Sequence, residues 1–220
     1  MDIGSAFTFM FDDKDWIKKI AIGGVAMLLG IVIVPMLTAY GYMLQTLKNA
    51  RDNQPTPLPE WNDLGNLTLK GLMVVLIGLI YSIPALIPYC ALIAVTIAAQ
   101  EVDSDQVNML GALSACLGCT ALLFILLAAV IFPAAIIRYA QFDTFSSAFQ
   151  IREIFSFISS NVGDYAIVVL LILVASFIAQ FGFILLCVGL YFTTFWSLLV
   201  MAHLCGQLAR RAREPLAAAM

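Results

Sequence analysis

The sequence has little charge. Only 11% of its 220 residues are Asp, Glu, Lys or Arg, against about 25% in an ordinary soluble domain. So few charged side chains cannot cover a water-facing surface, which excludes an ordinary soluble globular protein. The formal net charge of −3 also gives no electrostatic support for binding nucleic acid, so we expect no nucleic-acid partner.

Residues that carry chemistry are also scarce. The chain has one histidine, and its long apolar runs, 71–100, 107–137 and 165–209, contain no Asp, Glu, Lys or Arg. The sequence has no H-E-x-x-H zinc motif, phosphate-binding loop or nucleophile elbow. We therefore expect no enzymatic activity, catalytic residue, cofactor or metal ion. Ion-coupled pumps place charged residues at mid-membrane depth, so the pattern argues against a pump as well.

Cysteine is present in an odd number, five, and every cysteine lies in an apolar run. A disulfide framework is therefore not expected. Cys116 and Cys119 have C-x-x-C spacing, but a metal or redox site would need further ligands, such as a second cysteine pair. We expect these cysteines to act as small residues that pack between helices.

Apolar residues are abundant and stand in long blocks. They make up 62% of the chain, and the mean hydropathy is +0.98. Four blocks stand out, at 17–47, 71–100, 107–137 and 165–209. Uncharged blocks longer than about 18 residues are typical of transmembrane helices. At about 1.5 Å per helical residue, the last block is long enough for two crossings, with a turn near 182–192.

The block 17–47 is ambiguous because it is long for one crossing and short for two. Cytoplasmic flanks of membrane helices collect Lys and Arg. If this block crosses once, Lys14, Lys18 and Lys19 face the opposite side from all the other basic residues. If it folds back, all eleven basic residues share one side. We therefore favour six membrane segments with both termini cytoplasmic, the first two forming a short or re-entrant hairpin. Five crossings are the alternative.

These boundaries predict an all-α, polytopic integral membrane protein with a single membrane domain over 1–220. Its predicted parts are an interfacial N-terminal segment (1–16), a hairpin or kinked helix (17–50), a proline-rich cytoplasmic loop (52–66), a helix (67–100), a second helix (107–138), an interfacial cytoplasmic segment (139–164) and a helical hairpin (165–213).

The stretch NQPTPLPEWNDLGN, residues 53–66, is polar and rich in proline. Proline disfavours helix and holds the chain extended. One interpretation is a stiff linker in which Trp61 sits at the level of the lipid headgroups and Asn62 or Asp63 caps the next helix. The other interpretation is a docking site in which Glu60 and Trp61 meet a protein partner.

Two further groups are candidate interface contacts. Gly111, Ala115 and Gly118 recur at helical spacing and form a face that another helix can approach closely, within the chain or from another subunit. His203 lies near the basic end of the last block, with Gln207 one turn later. We expect an interfacial histidine there, and a proton-sensing or ligand-binding role is the alternative.

Four stretches of the chain resemble an uncharacterised prokaryotic family of polytopic membrane proteins, catalogued as domain of unknown function, family 4013. They are FDDKDWIKKIAIGG (11–24), YGYML (40–44), LPEWNDLGNL (58–67) and AHLCGQLARRA (202–212). The resemblance implies a multi-pass architecture and a prokaryotic cell (inner) membrane. It implies no catalytic residue.

Two functions from different classes are compatible with these features. The first is a non-catalytic scaffold, assembly factor or accessory subunit of a membrane complex, with the bilayer and other membrane proteins as its partners. The second is a passive or facilitated transporter of a small uncharged or lipid-like solute. The first is favoured because the apolar blocks carry small-residue faces, the loops are short and catalytic chemistry is missing.

Overall fold

The computed structural model describes residues 2–99, 104–184 and 188–218, and these residues form helices and turns without a β-strand. The predicted all-α class is therefore confirmed for the described part of the chain. Its α-helices are α1 Ile3–Thr8, α2 Trp16–Leu28, α3 Ile33–Arg51, α4 Leu64–Ala98, α5 Ser104–Phe142, α6 Ile151–Ser160, α7 Val162–Gln180 and α8 Val188–Ala218.

Four helical stretches within these residues are long and apolar enough to cross a membrane. They are Leu64–Ala98, Asn108–Phe142, Val162–Ile184 and Val188–Ala212. By length and composition, this agrees with the predicted multi-pass membrane protein. The first two stretches have 35 residues each. At about 1.5 Å per residue, each is longer than the hydrocarbon core of about 30 Å, so its ends reach the interfacial layers.

The chain divides into two compact units. One comprises Met1–Leu76 with Pro133–Met220, and the other comprises Ile77–Phe132. In the first unit, hereafter the main unit, α8 is the central helix, and α1, α2, α3 and α7 pack against it. Residues 199–209 of α8 are buried without interruption. A helix that is covered on all sides needs side chains that are apolar or that have a hydrogen-bond partner. This stretch is apolar apart from His203 and Gln207.

The helices α2 and α3 are separated by a short turn. A 3₁₀ turn covers Leu29–Ile31, and Val32 is extended before α3 begins. Trp61 links the two helices, because it donates a hydrogen bond to the backbone carbonyl of Lys19 in α2 and stacks on Tyr42 in α3. With 13 residues, α2 reaches only about 20 Å, which is too short to cross a bilayer as a single helix.

Glycines allow α3 and α4 to touch backbone to backbone. A Cβ atom added to Gly41 would overlap the carbonyl oxygen of Leu67, and one added to Gly71 would overlap that of Leu37. Next to this contact the hydroxyl groups of Thr38 and Thr68 lie 2.8 Å apart and share a hydrogen bond. Helices in membranes approach this closely only where side chains are absent.

Two residues with positive φ end long helices. Asn53, at φ 54°, follows α3, and Asp143, at φ 53°, follows α5. Asn and Asp tolerate this left-handed conformation better than other residues with a side chain. Both positions also receive a basic side chain, since Arg210 bonds to Asn53 and Lys48 pairs with Asp143.

The second unit consists of parts of α4 and α5. Pro84 and Pro88 lie inside α4, which continues through both. Within this unit, a Cβ at Gly78 would make van der Waals contact with the ring of Phe132 at 3.4 Å. In the connection between the predicted helices 67–100 and 107–138, residues 104–106 belong to α5, which begins at Ser104, and residues 101–103 lie outside the described residues. The turn predicted near 182–192 begins with a 3₁₀ turn at Phe181–Ile184, and its residues 185–187 also lie outside the described part.

The segment between α5 and α7 contains a 3₁₀ turn at Phe145–Phe149 and the helix α6. In α6 the side chain of Ile154 is buried, while Ile151 and Phe155 are about half exposed. Apolar side chains therefore project from α6 on the side that the protein does not cover, as is typical of a helix lying in a membrane interface.

Candidate functional site

Three of the stretches that stand out in the sequence meet at one place in the main unit. We call it the Lys19 junction and define it as Asp13, Lys19, Tyr42, Glu60 and Trp61. Asp13 lies in the turn that precedes α2, and Lys19 lies in the first turn of α2. Tyr42 comes from α3, and Glu60 and Trp61 come from the proline-rich loop. The junction thus fixes this loop against both α2 and α3.

An ion-pair network forms the polar half of the Lys19 junction. The Nζ atom of Lys19 lies 2.8 Å from Oδ2 of Asp13 and 2.6 Å from Oε1 of Glu60. The residues Lys19 and Asp13 are only 5% and 8% exposed, whereas the Glu60 side chain is 62% exposed. One ammonium group therefore joins a buried carboxylate to one that faces solvent.

The pKa of Asp13 responds to two opposing effects. Burial acts to raise it. The hydrogen bonds that the Asp13 carboxylate accepts from the Lys19 ammonium and the Asp15 backbone amide, together with the Lys19 charge, outweigh burial and hold the pKa below its ordinary value. Asp13 is thus ionised at neutral pH, which the pairing with Lys19 requires.

Aromatic stacking forms the other half of the junction. The ring of Trp61 stacks on that of Tyr42 at a centroid distance of 4.1 Å, and its Nε1–H donates to the carbonyl of Lys19 at 3.3 Å. Tyr42 is fully buried, and its hydroxyl donates to the carbonyl of Pro59 at 2.9 Å. Trp61 is therefore a half-buried packing residue in this chain, and Glu60 is the more exposed of the two candidate contacts.

A cavity of about 520 Å³ adjoins the junction. Its walls come from α2, α3 and the start of α4, and they are almost entirely apolar, with Ile22, Val25, Leu29, Val34 and Leu64 prominent among them. These five side chains remain between 38% and 57% exposed. The volume lies in the range of about 300–1,000 Å³ that is usual for ligand pockets.

A smaller polar pocket of about 230 Å³ continues from this cavity. The two share Ile22 and Trp61 as lining residues. The polar lining residues are Asp15, Lys18, Lys19, Glu60 and Asn62. Two lysines and two carboxylates balance in charge, and Lys18 is exposed. The combined site is therefore amphipathic, with an apolar chamber beside a polar mouth.

His203 and Gln207 hold the N-terminal segment against α8. The side-chain amide of Gln207 accepts from the Asp2 backbone N–H at 3.0 Å and donates to the Asp2 carbonyl at 3.1 Å. The ring of His203 stacks on that of Phe9 at 4.2 Å, and both residues are buried. Gln207 also lies within hydrogen-bonding distance of His203 Nδ1, at 3.2 Å. In this chain both candidate contacts therefore face an intramolecular neighbour.

The predicted small-residue face of α5 is largely uncovered. Gly111 and Ala115 are exposed, and a Cβ added to Gly111 would meet no atom within 4 Å. At Gly118 the nearest such atom is a methyl group of Leu92, at 3.9 Å. Packing against the part of the chain that the structure describes therefore does not account for Gly111 or Ala115, and contact of this face with another protein stays a prediction.

Two parts of the site could not be read from the sequence. The apolar cavity depends on how far α2 stands from α4, which no local pattern encodes. The ion pairs of Lys19 join residues up to 41 positions apart. A signal existed nonetheless, because Lys19 lies at the start of an apolar block, where a lysine needs a partner or an outlet to water. Among the described residues no group of three or more His, Cys, Asp or Glu could hold a metal ion.

Comparison with known proteins places the chain in a family. The family model described as Protein of unknown function (DUF4013) matches residues 25–188, well over half of the chain. The chain belongs to the DUF4013 family. No curated protein and no solved structure matches it. The matched range of DUF4013 includes Tyr42, Glu60 and Trp61 and most of the cavity, whereas Lys19 and His203 fall outside it.

Proposed function

We propose that this protein is a non-catalytic component of a membrane assembly, acting as a scaffold, assembly factor or accessory subunit. The observation that carries the proposal is the uncovered small-residue face of α5. Its Gly111 has free space where a side chain would stand, so the backbone of another helix can approach there. In a bilayer, close backbone approach is a main source of helix association, because lipid removes the hydrophobic drive.

The test is association in native membranes. Chemical crosslinking followed by mild detergent extraction and mass spectrometry is expected to recover defined membrane proteins with the wild-type chain. The double variant Gly111→Leu, Ala115→Leu is expected to lose them, because leucine side chains hold an incoming helix away. Contrary to the expectation that it packs between helices, Cys116 is exposed. Cys116→Leu is therefore the matched control, since it adds a leucine at an exposed position of α5 outside the Gly111, Ala115 and Gly118 face. Equal recovery with all three chains contradicts the proposal.

We further propose six membrane segments, with α2 and α3 as a re-entrant hairpin, and both termini in the cytoplasm of a prokaryotic cell. Supporting contacts join the two ends of the chain: Asp2 bonds to Gln207, and Arg210 bonds to Asn53 of the proline-rich loop. Arg211 pairs with Asp164 at 3.0 Å at the start of α7. The contacts of Arg210 and Arg211 with the proline-rich loop and the start of α7 fit a cytoplasmic location of these segments.

The apolar cavity favours a second candidate, passive movement of a lipid-like solute across the bilayer. Its lining suits an acyl chain better than a small polar molecule. Reconstituted liposomes are expected to show faster transbilayer exchange of a fluorescent phospholipid than protein-free liposomes. Gly65→Leu, which places a side chain in the cavity, is expected to remove the increase. Exchange at the protein-free rate rules this candidate out and leaves the first untouched.

A further inference from the structure

We infer that the cavity and its polar mouth together form a binding site for one phospholipid whose headgroup carries both a phosphate and a primary ammonium. The acyl chain occupies the apolar cavity, and the headgroup occupies the pocket at the Lys19 junction. The inference concerns a bound lipid. It is independent of partner assembly and holds whether or not the lipid crosses the bilayer.

The shape of the site suits a long amphipathic ligand. The apolar cavity and the polar pocket share Ile22 and Trp61, so one molecule can extend from one into the other. Such a ligand must be apolar over most of its length and polar at one end. In a bilayer, the abundant molecules with this character are phospholipids.

The depth of the site in the bilayer matches that of a phospholipid. Trp61 lies between the two pockets, and α4, a candidate membrane span, begins at Leu64. Asp63 caps that helix by accepting from the backbone N–H of Asn66 at 3.1 Å. A tryptophan beside the polar start of a span is typical of the headgroup layer. The polar mouth is therefore level with headgroups and the cavity with acyl chains.

The charged side chains of the polar pocket select the headgroup. The ammonium of Lys19 is already paired with Asp13 and Glu60, whereas Lys18 is exposed in the same pocket and can bind a phosphate. The carboxylate of Glu60 is largely exposed and can accept hydrogen bonds from a primary ammonium. A quaternary ammonium has no N–H to donate, and an anionic headgroup without an amine leaves Glu60 facing negative charge.

Tryptophan fluorescence provides the experiment. In the variant Trp16→Phe, Trp196→Phe, the remaining tryptophan is Trp61, which lines the site. This protein is reconstituted in phosphatidylcholine vesicles that contain equal small fractions of phosphatidylethanolamine, phosphatidylcholine or phosphatidylglycerol brominated on an acyl chain. Phosphatidylethanolamine is expected to quench Trp61 most strongly, because site-bound lipid adds to quenching by the surrounding bilayer.

Three variants in the same background localise the effect. Gly65→Leu fills the cavity without meeting protein atoms, since a Cβ there has nothing within 4 Å, and is expected to abolish the preference for phosphatidylethanolamine. Gly163→Leu, equally free of contacts and outside the cavity, is the control and is expected to retain it. Lys18→Met is expected to weaken phosphatidylethanolamine binding by about fivefold, the usual effect of one lysine beside a lipid phosphate.

The outcomes separate clearly. Equal quenching by the three headgroups overturns the headgroup assignment, and a preference that survives Gly65→Leu overturns the cavity as the site. Absence of quenching by every brominated lipid means that another protein segment covers the cavity, which also overturns the inference. None of these results bears on the crosslinking of α5, so failure of the lipid site and failure of the proposed assembly role are distinguishable.

Discussion

At the scale of residues, the stability of the main unit depends on a few polar side chains that are buried in a largely apolar interior. Lys19 is the clearest case, since it is buried and joined to one buried and one exposed carboxylate. Replacing one member of such a network costs more than the pair contributes, because the remaining charge loses its partner but stays out of water. This imbalance makes Lys19 a sensitive position for testing the structure.

Lys19→Met is therefore expected to destabilise the protein by about 3 kcal/mol, because it leaves Asp13 buried without a cation. Thermal unfolding in mild detergent measures the effect as a lower melting temperature. The matched control is Lys14→Met, which removes a nearby exposed lysine that does not line the pocket and is expected to change stability by less than about 0.5 kcal/mol. Similar melting temperatures for the two variants would show that the ion pairs of Lys19 contribute little.

The lowered pKa of Asp13 predicts a pH dependence with a definite sign. A carboxylate whose pKa is lower in the folded state contributes stability above its unfolded pKa, about 3.9 for Asp, and loses that contribution as the pH falls through the folded value. The wild type is thus expected to be more stable than Asp13→Asn at neutral pH. The difference is expected to shrink below about pH 4. A difference that is constant between about pH 6 and pH 3 contradicts the assignment.

The origin of these contacts shows what sequence can and cannot predict at this scale. The capping role of Asp63 was predictable, because Asx caps are local and lie immediately before an apolar run. The pairing of Lys19 with Glu60 was not, because it depends on the turn at 29–32 and on the path of the proline-rich loop. The same holds for Gln207 and Asp2, which are separated by nearly the whole chain. The sequence singled out Glu60 and Gln207 as candidate contacts and left their partners open.

At the scale of elements, apolar block length predicted well and helix pairing did not. The helices α4, α5, α7 and α8 coincide with uncharged blocks, since a bilayer demands long apolar helices with all backbone hydrogen bonds satisfied. The contact between α3 and α4 was not evident, although Gly41 and Gly71 were visible in the sequence. Glycine is common in membrane helices, and only the structure shows which glycine touches another backbone.

Gly71→Ala is expected to destabilise the protein by about 1–3 kcal/mol, the usual cost of overpacking, because its methyl group would overlap the backbone of Leu37 and force α3 and α4 apart. Gly65→Ala is the matched control on the same helix, because a Cβ there meets no atom within 4 Å. Melting temperatures in detergent distinguish the two. A stable Gly71→Ala protein would mean that α3 and α4 do not touch as described.

At the scale of the whole molecule, the asymmetry of basic residues was the most informative sequence feature. The structure adds contacts between segments that carry those residues, such as the bond from Arg210 to Asn53. The number of membrane segments is a separate matter, because α2 is too short to cross alone and its placement depends on the bilayer. Four apolar helices are established, and the six-segment layout is a proposal.

Reporter fusions test that layout directly. A fluorescent protein that matures only in the cytoplasm and a phosphatase active only outside it are fused in turn to each end of the chain. With six segments, both ends are expected to give fluorescence and no phosphatase activity, because the Lys and Arg residues retain them in the cytoplasm. A phosphatase signal at one end and fluorescence at the other would support five crossings instead.

The central position of α8 has a consequence for how the protein is made. Translation produces α1, α2, α3 and α7 before α8, so these helices leave the ribosome with the surfaces that will face α8 still bare. The main unit cannot consolidate segment by segment during synthesis. The main unit cannot fold until α8 has been synthesised. Until then, lipid or the insertion machinery must cover the helix surfaces that later contact α8. Ribosome stalling or truncation ahead of α8 therefore yields a chain that has all the earlier helices but lacks the helix against which they pack. We expect membrane proteases to degrade such a chain rapidly.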